Sequence, residues 1–201
     1  MRSKRLSATE FHRLLEETGA LHSGHFLLSS GRHSPQYIQC ARLLQHPEHA
    51  ALVCGGLADR FESARVDIVV GPAMGGIIVA HEVGRRLGAR VLFAERVNGQ
   101  FALRRSFEVH PGEHVLVVED VVTTGGSLLE VADLFTRLGG EIVGMGALVD
   151  RTGGGAVFSW RFEALIALTV PTFAKADCPQ CAEGLPFDKP GSRPTSALSA
   201  R

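Results

Sequence analysis

Two adjacent carboxylates, Glu119 and Asp120, close an apolar run and stand just ahead of Thr123-Thr124-Gly125-Gly126-Ser127. From His114 the order is His-Val-Leu-Val-Val-Glu-Asp-Val-Val-Thr-Thr-Gly-Gly-Ser, with an amphipathic stretch behind it. Hydroxyls, glycines and free N–H groups at a helix start make an anion site. The helix dipole is positive there, and backbone donors need no Lys or Arg. Two ionised acids beside a phosphate are repulsive unless they have a task of their own. Ionised carboxylates only accept hydrogen bonds, and sugar hydroxyls donate them. The pattern therefore reads as a ribose-phosphate site. A bare Thr-Gly-Gly-Ser would be an ordinary helix cap, but strand, acids, hydroxyls, glycines and helix in one order favour a ligand. It is not a Walker loop, since the GxxxxGK[ST] lysine is absent, and it is not GxGxxG.

Other stretches carry less on their own. Gly71-Pro-Ala-Met-Gly-Gly76 lies between a strand and a helix, where its amides can turn toward an anion or its glycines can serve sterics alone. Arg151 follows an apolar run that ends at Asp150. Its guanidinium is a fork that matches a planar carboxylate, with a surface ion pair to Asp150 as the plainer alternative. Glu95 to Arg105 is polar, has Gly99 at its tip and lacks clear periodicity, so it reads as a loop, functional or simply flexible. Arg104 and Arg105 are either ligand contacts or a solvated basic pair beside a hairpin. Cys178 and Cys181 form a CxxC, but no second CxxC or His pair follows. They read as two unligated cysteines, with half a zinc site as the alternative. The nine histidines read mostly as surface or turn residues, and His33 alone is singled out.

VLVVEDVVTTGGS resembles the phosphoribosyl pyrophosphate signature of the type I phosphoribosyltransferases. Within them the chain resembles the orotate phosphoribosyltransferases along nearly its whole length. Gly24 to Cys40, GHFLLSSGRHSPQYIQC, is similar to their N-terminal hood, VVGPAMGG (Val69 to Gly76) to their pyrophosphate loop, and Leu148-Val-Asp150-Arg151 to their orotate-contacting strand end. The resemblance implies an enzyme that joins orotate to phosphoribosyl pyrophosphate, with pyrophosphate released. It implies that Glu119, Asp120, Val121, Val122, Thr123, Thr124, Gly125, Gly126 and Ser127 hold the phosphoribosyl group, with Glu119 and Asp120 on the ribose hydroxyls. Thr123 and Arg151 are implied to contact orotate. Arg96 is implied to meet pyrophosphate from a mobile loop that closes over the neighbouring subunit of a homodimer, and Arg96 and Asp120 are the implied catalytic residues. Mg²⁺ is the implied cofactor, held by substrate oxygens and water rather than by protein side chains. Family lysines are replaced by Val97 and Gln100 in the loop, by Gly75 in the pyrophosphate loop and by Ser29 in the hood. Two rival readings are a purine phosphoribosyltransferase, which shares the phosphate signature, and a nucleic-acid-binding regulator that senses phosphoribosyl pyrophosphate. The hood and Asp150-Arg151 favour orotate.

These residues need elements to position them. Ser7-Ala-Thr-Glu10 is a capping box, followed by Phe11, Leu14 and Leu15 at helical spacing and by Gly19 as a stop. Short apolar pieces, His25 to Leu28 and Tyr37 to Cys40, flank a turn-like Ser29 to Pro35, and a helix is expected from Pro47 to Phe61. Apolar, mostly β-branched runs follow at Val66 to Val70, Arg90 to Phe93, Val115 to Val118, Ile142 to Val149 and Leu165 to Val170. Helical stretches, Gly76 to Leu87 and Ser127 to Leu138, fall between some of them. Continuous apolar strands are buried on both faces, so the fold class is α/β, a parallel sheet with helices on both faces and a small N-terminal hood. One domain is expected over 1–187: a hood segment at 1–45, a core at 46–175 and the CxxC loop at 176–187. A disordered tail is expected from Asp188.

The balance of charge agrees with this reading. Lys plus Arg and Asp plus Glu number 21 each among 201 residues, so no global field draws nucleic acid or an anionic membrane. A helix-turn-helix, which a regulator would need, is not apparent. The basic N-terminus lacks the apolar stretch of a secretory signal, and no segment has the roughly 20 apolar residues of a membrane span. A cytoplasmic enzyme is expected.

Overall fold

The computed structural model describes residues 6–28, 30–156 and 158–190. Ser29, the site of a missing family lysine, and most of the expected tail lie outside the described residues. Ser7 caps helix α1 (Ala8–Glu17) through the reciprocal box with Glu10, and Phe11, Leu14 and Leu15 are its buried stripe. Strands β1 (Leu21–Leu27) and β2 (His33–Ile38) pair antiparallel as a separate two-stranded sheet. The short helix α2 (Ala41–Leu44) leads to α3 (Pro47–Ala58), which a 3-10 turn at Asp59–Phe61 extends as the sequence implies.

The regular part then runs β3 (Ile68–Pro72), α4 (Gly75–Leu87), β4 (Arg90–Val97), β5 (Gln100–Leu103), β6 (His114–Val122), α5 (Gly126–Arg137), β7 (Glu141–Asp150) and β8 (Phe162–Ala167). A 3-10 turn at Lys175–Asp177 and the single turn α6 (Pro179–Ala182) follow. The six-stranded sheet has the order β5-β4-β3-β6-β7-β8. All its neighbours pair in parallel except the edge pair of β4 with β5.

The apolar strands explain the layers. Successive side chains leave a strand on opposite faces. Val69, Leu116 and Val118 accordingly join α1, α2, α3 and α4 in one core, while Ile68, Val70, Val115 and Val117 join α5 in the other. Each fully buried Val or Leu contributes about 1.5–3 kcal/mol, against about 1 kcal/mol for the α1 cap. The two sheet faces, not the helix signals, therefore decide the fold.

Three expectations are corrected. The stretch from Glu95 to Arg105 is not an irregular loop. β4 continues through Val97, turns at Asn98 and Gly99, and returns as β5, with Ala94 opposite Leu103 and Val97 opposite Gln100. Asn98 (φ +52°) and Gly99 (φ +85°) both take the left-handed backbone that a two-residue hairpin turn requires. Next, His25 and His33 are buried rather than surface residues. Finally, Asp188 does not begin a free tail: its carbonyl accepts from the Leu27 N–H and its own N–H donates to the His25 carbonyl, each at 2.8 Å.

Candidate active site

A cleft of about 820 Å³ opens where β6 and β7 end, between the sheet and the β1–β2 hairpin. Ligands of open α/β sheets bind at the carboxyl ends of strands, where strand order leaves a crevice. Asp120, Val121, Thr123, Thr124 and Arg151 line it from the sheet side, and Tyr37 from the hairpin. The sequence thus brings together five of its nominated residues. Gly125 opens α5 in the left-handed region at φ +81°, and Gly126 and Ser127 form the first turn beside Thr124. A Cβ on Gly125 would stand 2.7 Å from the Phe158 ring, so glycine is required there twice over. The side chain of Val122 faces the core; what it offers the site is its carbonyl, which accepts from the Arg151 N–H at 2.7 Å.

The Gly71–Gly76 turn lies against this site. A Cβ on Gly75 would come within 2.6 Å of Asp120 Oδ1, so the backbone itself rests on the carboxylate. Gly75 therefore does more than lack a lysine: it allows the turn to pack on Asp120.

The acids are perturbed by their place. Burial pushes Glu119 up to about 8, the neighbouring Asp120 pushes the same way, and Arg96 pulls it down. Burial also raises Asp120, against backbone N–H donors that include Val121 at 2.9 Å. A perturbed carboxyl in a cleft, as Asp120 is, marks a functional site. Arg151 is half-buried, burial lowers its guanidinium and Tyr37 opposes this. Among the described residues its buried Nε has no hydrogen-bond partner, a costly state unless a ligand supplies the acceptor. The alternative of an ion pair with Asp150 is not formed: Asp150 Oδ1 accepts from the Thr152 N–H at 2.7 Å.

Arg96 is not in the cleft. On the β4–β5 arm it stacks over Phe101 at 4.1 Å and pairs with Glu130 of α5 at 2.9 and 3.1 Å. Arg105 is held by Glu95 at 2.8 Å, at the base of the arm. Tyr37 is what sequence reasoning missed. It is the chain's single tyrosine, and burial raises its hydroxyl while Arg151 lowers it and Asp120 raises it. Its place inside the hood motif was the available signal.

Among the described residues, the one group of three or more metal-ligating side chains is His25, His33, Cys178 and Cys181, away from the cleft. Glu119 and Asp120 belong to no such group. That donor set fits an Mg²⁺ carried in on a diphosphate, with water and substrate oxygens as most of its ligands.

Comparison with known proteins agrees. Residues 39–157 match the phosphoribosyl transferase domain family. The orotate phosphoribosyltransferase of Desulforamulus reducens is 56% identical over 180 residues, 90% of this chain and 94% of its own. That of Thermotoga maritima is 53% identical over 180 residues, 90% of this chain and 96% of its own. The crystal structure of orotate phosphoribosyltransferase from Aeropyrum pernix superposes with a TM-score of 0.67 at 28% identity, covering 78% of this chain and 92% of its own. An adenine phosphoribosyltransferase from Thermoanaerobacter pseudethanolicus shares the fold at a TM-score of 0.59 and 17% identity, over 66% of this chain and 88% of its own. With Asp120, the hydroxyls of Thr123 and Thr124 ahead of α5, and Arg151 in one cleft, these likenesses make the chain a member of the orotate phosphoribosyltransferase family.

Proposed function

We propose that the chain transfers the phosphoribosyl group of phosphoribosyl pyrophosphate to orotate, giving orotidine 5′-phosphate and pyrophosphate on the route to pyrimidine nucleotides. The observation that carries the choice of orotate is the buried Arg151 Nε, which has no acceptor among the described residues. A planar carboxylate on the base would supply a charged acceptor that matches the guanidinium fork, where a purine offers only neutral ring acceptors.

In this reading the N–H groups at the start of α5, with the hydroxyls of Thr123, Thr124 and Ser127, hold the 5′-phosphate. Glu119 and Asp120 accept from the ribose hydroxyls. As the bond from the anomeric carbon to pyrophosphate breaks and a ring nitrogen of orotate bonds to that carbon, positive charge grows on the sugar ring. Carboxylates beside the ring stabilise that charge, and the same charge would favour the ionised form of Glu119 over the protonated form of the ligand-free protein. Holding both reactants at their far ends supplies orientation, which is worth several kcal/mol of barrier. Mg²⁺, when bound to the donor, would neutralise charge growing on the leaving pyrophosphate.

Arg96 belongs, in this proposal, to a neighbouring subunit's site. Its pair with Glu130 is 44% and 49% exposed, so breaking it costs about 1 kcal/mol or less. The exposed Met74 and Ile78, and Val97 on the arm, offer apolar surface for a second copy. We read the protein as cytoplasmic, in line with four cysteines free of disulfides; among the described residues no helix is long and apolar enough to cross a membrane.

The test is a substrate panel. Full-length protein with phosphoribosyl pyrophosphate and Mg²⁺ should consume orotate and release pyrophosphate, and should do neither with adenine or xanthine. Nucleotide formed from a purine but not from orotate would overturn the proposal.

A further inference from the structure

The hairpin and the segment after β8 enclose a second group of polar side chains, away from the cleft. His25 projects from β1 and His33 from β2. Leu27 lies opposite His33 in the register, and His25 precedes Leu27 by two residues, so both imidazoles share one face. Their ring centroids are 4.9 Å apart. Cys178 and Cys181, around the single turn α6, reach the same point from the other side. The Sγ of Cys178 lies 3.5 Å from His25 Nε2, and that of Cys181 lies 3.6 Å from His25 Nε2 and 3.5 Å from His33 Nδ1. One ligand atom from each of the four falls within 4.8 Å of every other. His25, His33 and Cys178 are 6%, 2% and 2% exposed, and the Phe187 ring covers both imidazoles edge-on at 5.7 and 5.2 Å.

We propose that these four side chains form a structural zinc site, Cys₂His₂, that clamps the segment after β8 to the hood hairpin. The spacing fits the ion. A tetrahedral centre with Zn–S of about 2.3 Å and Zn–N of about 2.0–2.1 Å separates S from N by about 3.5 Å, which all three observed S···N distances match. The His25 Nε2 to His33 Nδ1 separation of 2.7 Å is that of a hydrogen bond and must open to about 3.3 Å around the metal. The tautomers also fit. His25 Nδ1 is 3.0 Å from the Leu185 carbonyl, so its proton belongs there, which leaves the Nε2 lone pair facing the centre. His33 then carries its proton on Nε2 and presents Nδ1. Both thiols give up a proton to solvent as zinc binds, and nothing is oxidised or reduced.

The hairpin also has reason to need a clamp. A two-stranded sheet is marginal without other support, and its buried side chains here are few: His25, Phe26, His33, Ser34 and Ile38. The chain after β8 already flanks it on both edges, with Phe173 exchanging two hydrogen bonds with His33 and Asp188 two with β1. Zinc would lock Cys178 and Cys181, which lie between those contacts, onto the same hairpin. All four ligands fall outside residues 39–157, the part matched to the wider phosphoribosyl transferase domain family. The clamp therefore belongs to the hood and not to the shared catalytic core.

Full-length protein purified with a reductant and without chelator should carry one zinc per chain by elemental analysis. Cobalt(II) added to chelator-stripped protein should give thiolate charge-transfer bands and the intense visible bands of a tetrahedral centre. Both signals should vanish in Cys178→Ser/Cys181→Ser, and chelation should lower the melting temperature of the wild type but not of this variant. Should the double variant not fold, the wild-type cobalt spectrum and a mass measurement showing Cys178 and Cys181 shielded from alkylation by zinc alone decide the matter. Reduced wild type that takes up neither metal, a cobalt spectrum that survives in the double variant, or thiols that alkylate equally with and without zinc would overturn the site. None of these readouts depends on orotate turnover.

Discussion

Arg151 carries most weight at the scale of single residues. If its Nε receives the base carboxylate, Arg151→Ala should raise the Michaelis constant for orotate far more than that for the sugar donor. The loss in kcat/KM should be about 2–3 kcal/mol, as for a charge-assisted pair, and steady-state kinetics with each substrate varied would measure it. Equal effects on both substrates would mean another residue holds the base. Glu119 gives a prediction of a different kind. Its folded value of about 8 lies above the ordinary 4.5, so between those limits the native state holds a proton that the unfolded state has lost. Stability must then fall as pH rises through that window. Glu119→Gln should remove the share of the slope that Glu119 contributes and stabilise the ligand-free protein at pH 8, by an amount on the order of 2 kcal/mol once the water reaching this half-buried group is allowed for. Urea unfolding at the two ends of the window checks this, and parallel profiles for wild type and variant would contradict it. The acids were legible in the sequence because chemistry demanded them at a strand end. Tyr37, His25, Cys178 and Cys181 were not. Their meaning comes from partners up to 160 residues away in the chain, which local spacing does not encode.

At the scale of elements, the start of α5 is the part most open to test. Gly125→Ala must adopt φ +81° with a side chain and push its Cβ against Phe158. The left-handed backbone alone costs about 1–2 kcal/mol, and the cradle should deform rather than bear it. Donor affinity should fall at least about tenfold by calorimetric titration, equivalent to about 1.4 kcal/mol. The variant should keep its circular dichroism, because Leu128, Val131, Ala132 and Phe135, the buried face of α5, are untouched. A folded variant with wild-type donor affinity would rule out the cradle. The α/β alternation and most element positions were legible, since runs such as Val115 to Val118 have to be buried on both faces. The β4–β5 arm was not read, although Asn98-Gly99 is a strong hairpin signal. Glu95, Arg96, Arg104 and Arg105 make the stretch polar, so its strands lack the apolar alternation that marks a half-buried strand. The structure shows instead that Arg105 and Glu95 brace the base of the arm and that Arg96 on Phe101 stiffens its tip.

The whole molecule balances 21 basic against 21 acidic side chains, so any pull on a polyanionic donor must be built locally, from backbone N–H groups and a few arginines. One of these, Arg96, is proposed to act across a dimer. Mixing Arg96→Ala with Asp120→Asn, each inactive alone, should then restore part of the activity, because some hybrid dimers hold one intact site. If mass labelling shows that subunits exchange and activity still does not return, Arg96 works in its own subunit or not at all. The hood, too, is a whole-molecule device, because residues before the core and after it close over one cleft. That closure was invisible in the sequence, where the two segments stand at opposite ends of the core. The central claim is that orotate and its sugar donor meet in this cleft, and a crystal structure with orotate, phosphoribosyl pyrophosphate and Mg²⁺ tests it most directly. The account predicts the orotate carboxylate on the Arg151 guanidinium, with Nε satisfied, and the 5′-phosphate on the N–H groups of Thr124 to Ser127. Orotate bound elsewhere, or a phosphate that avoids the start of α5, would contradict it.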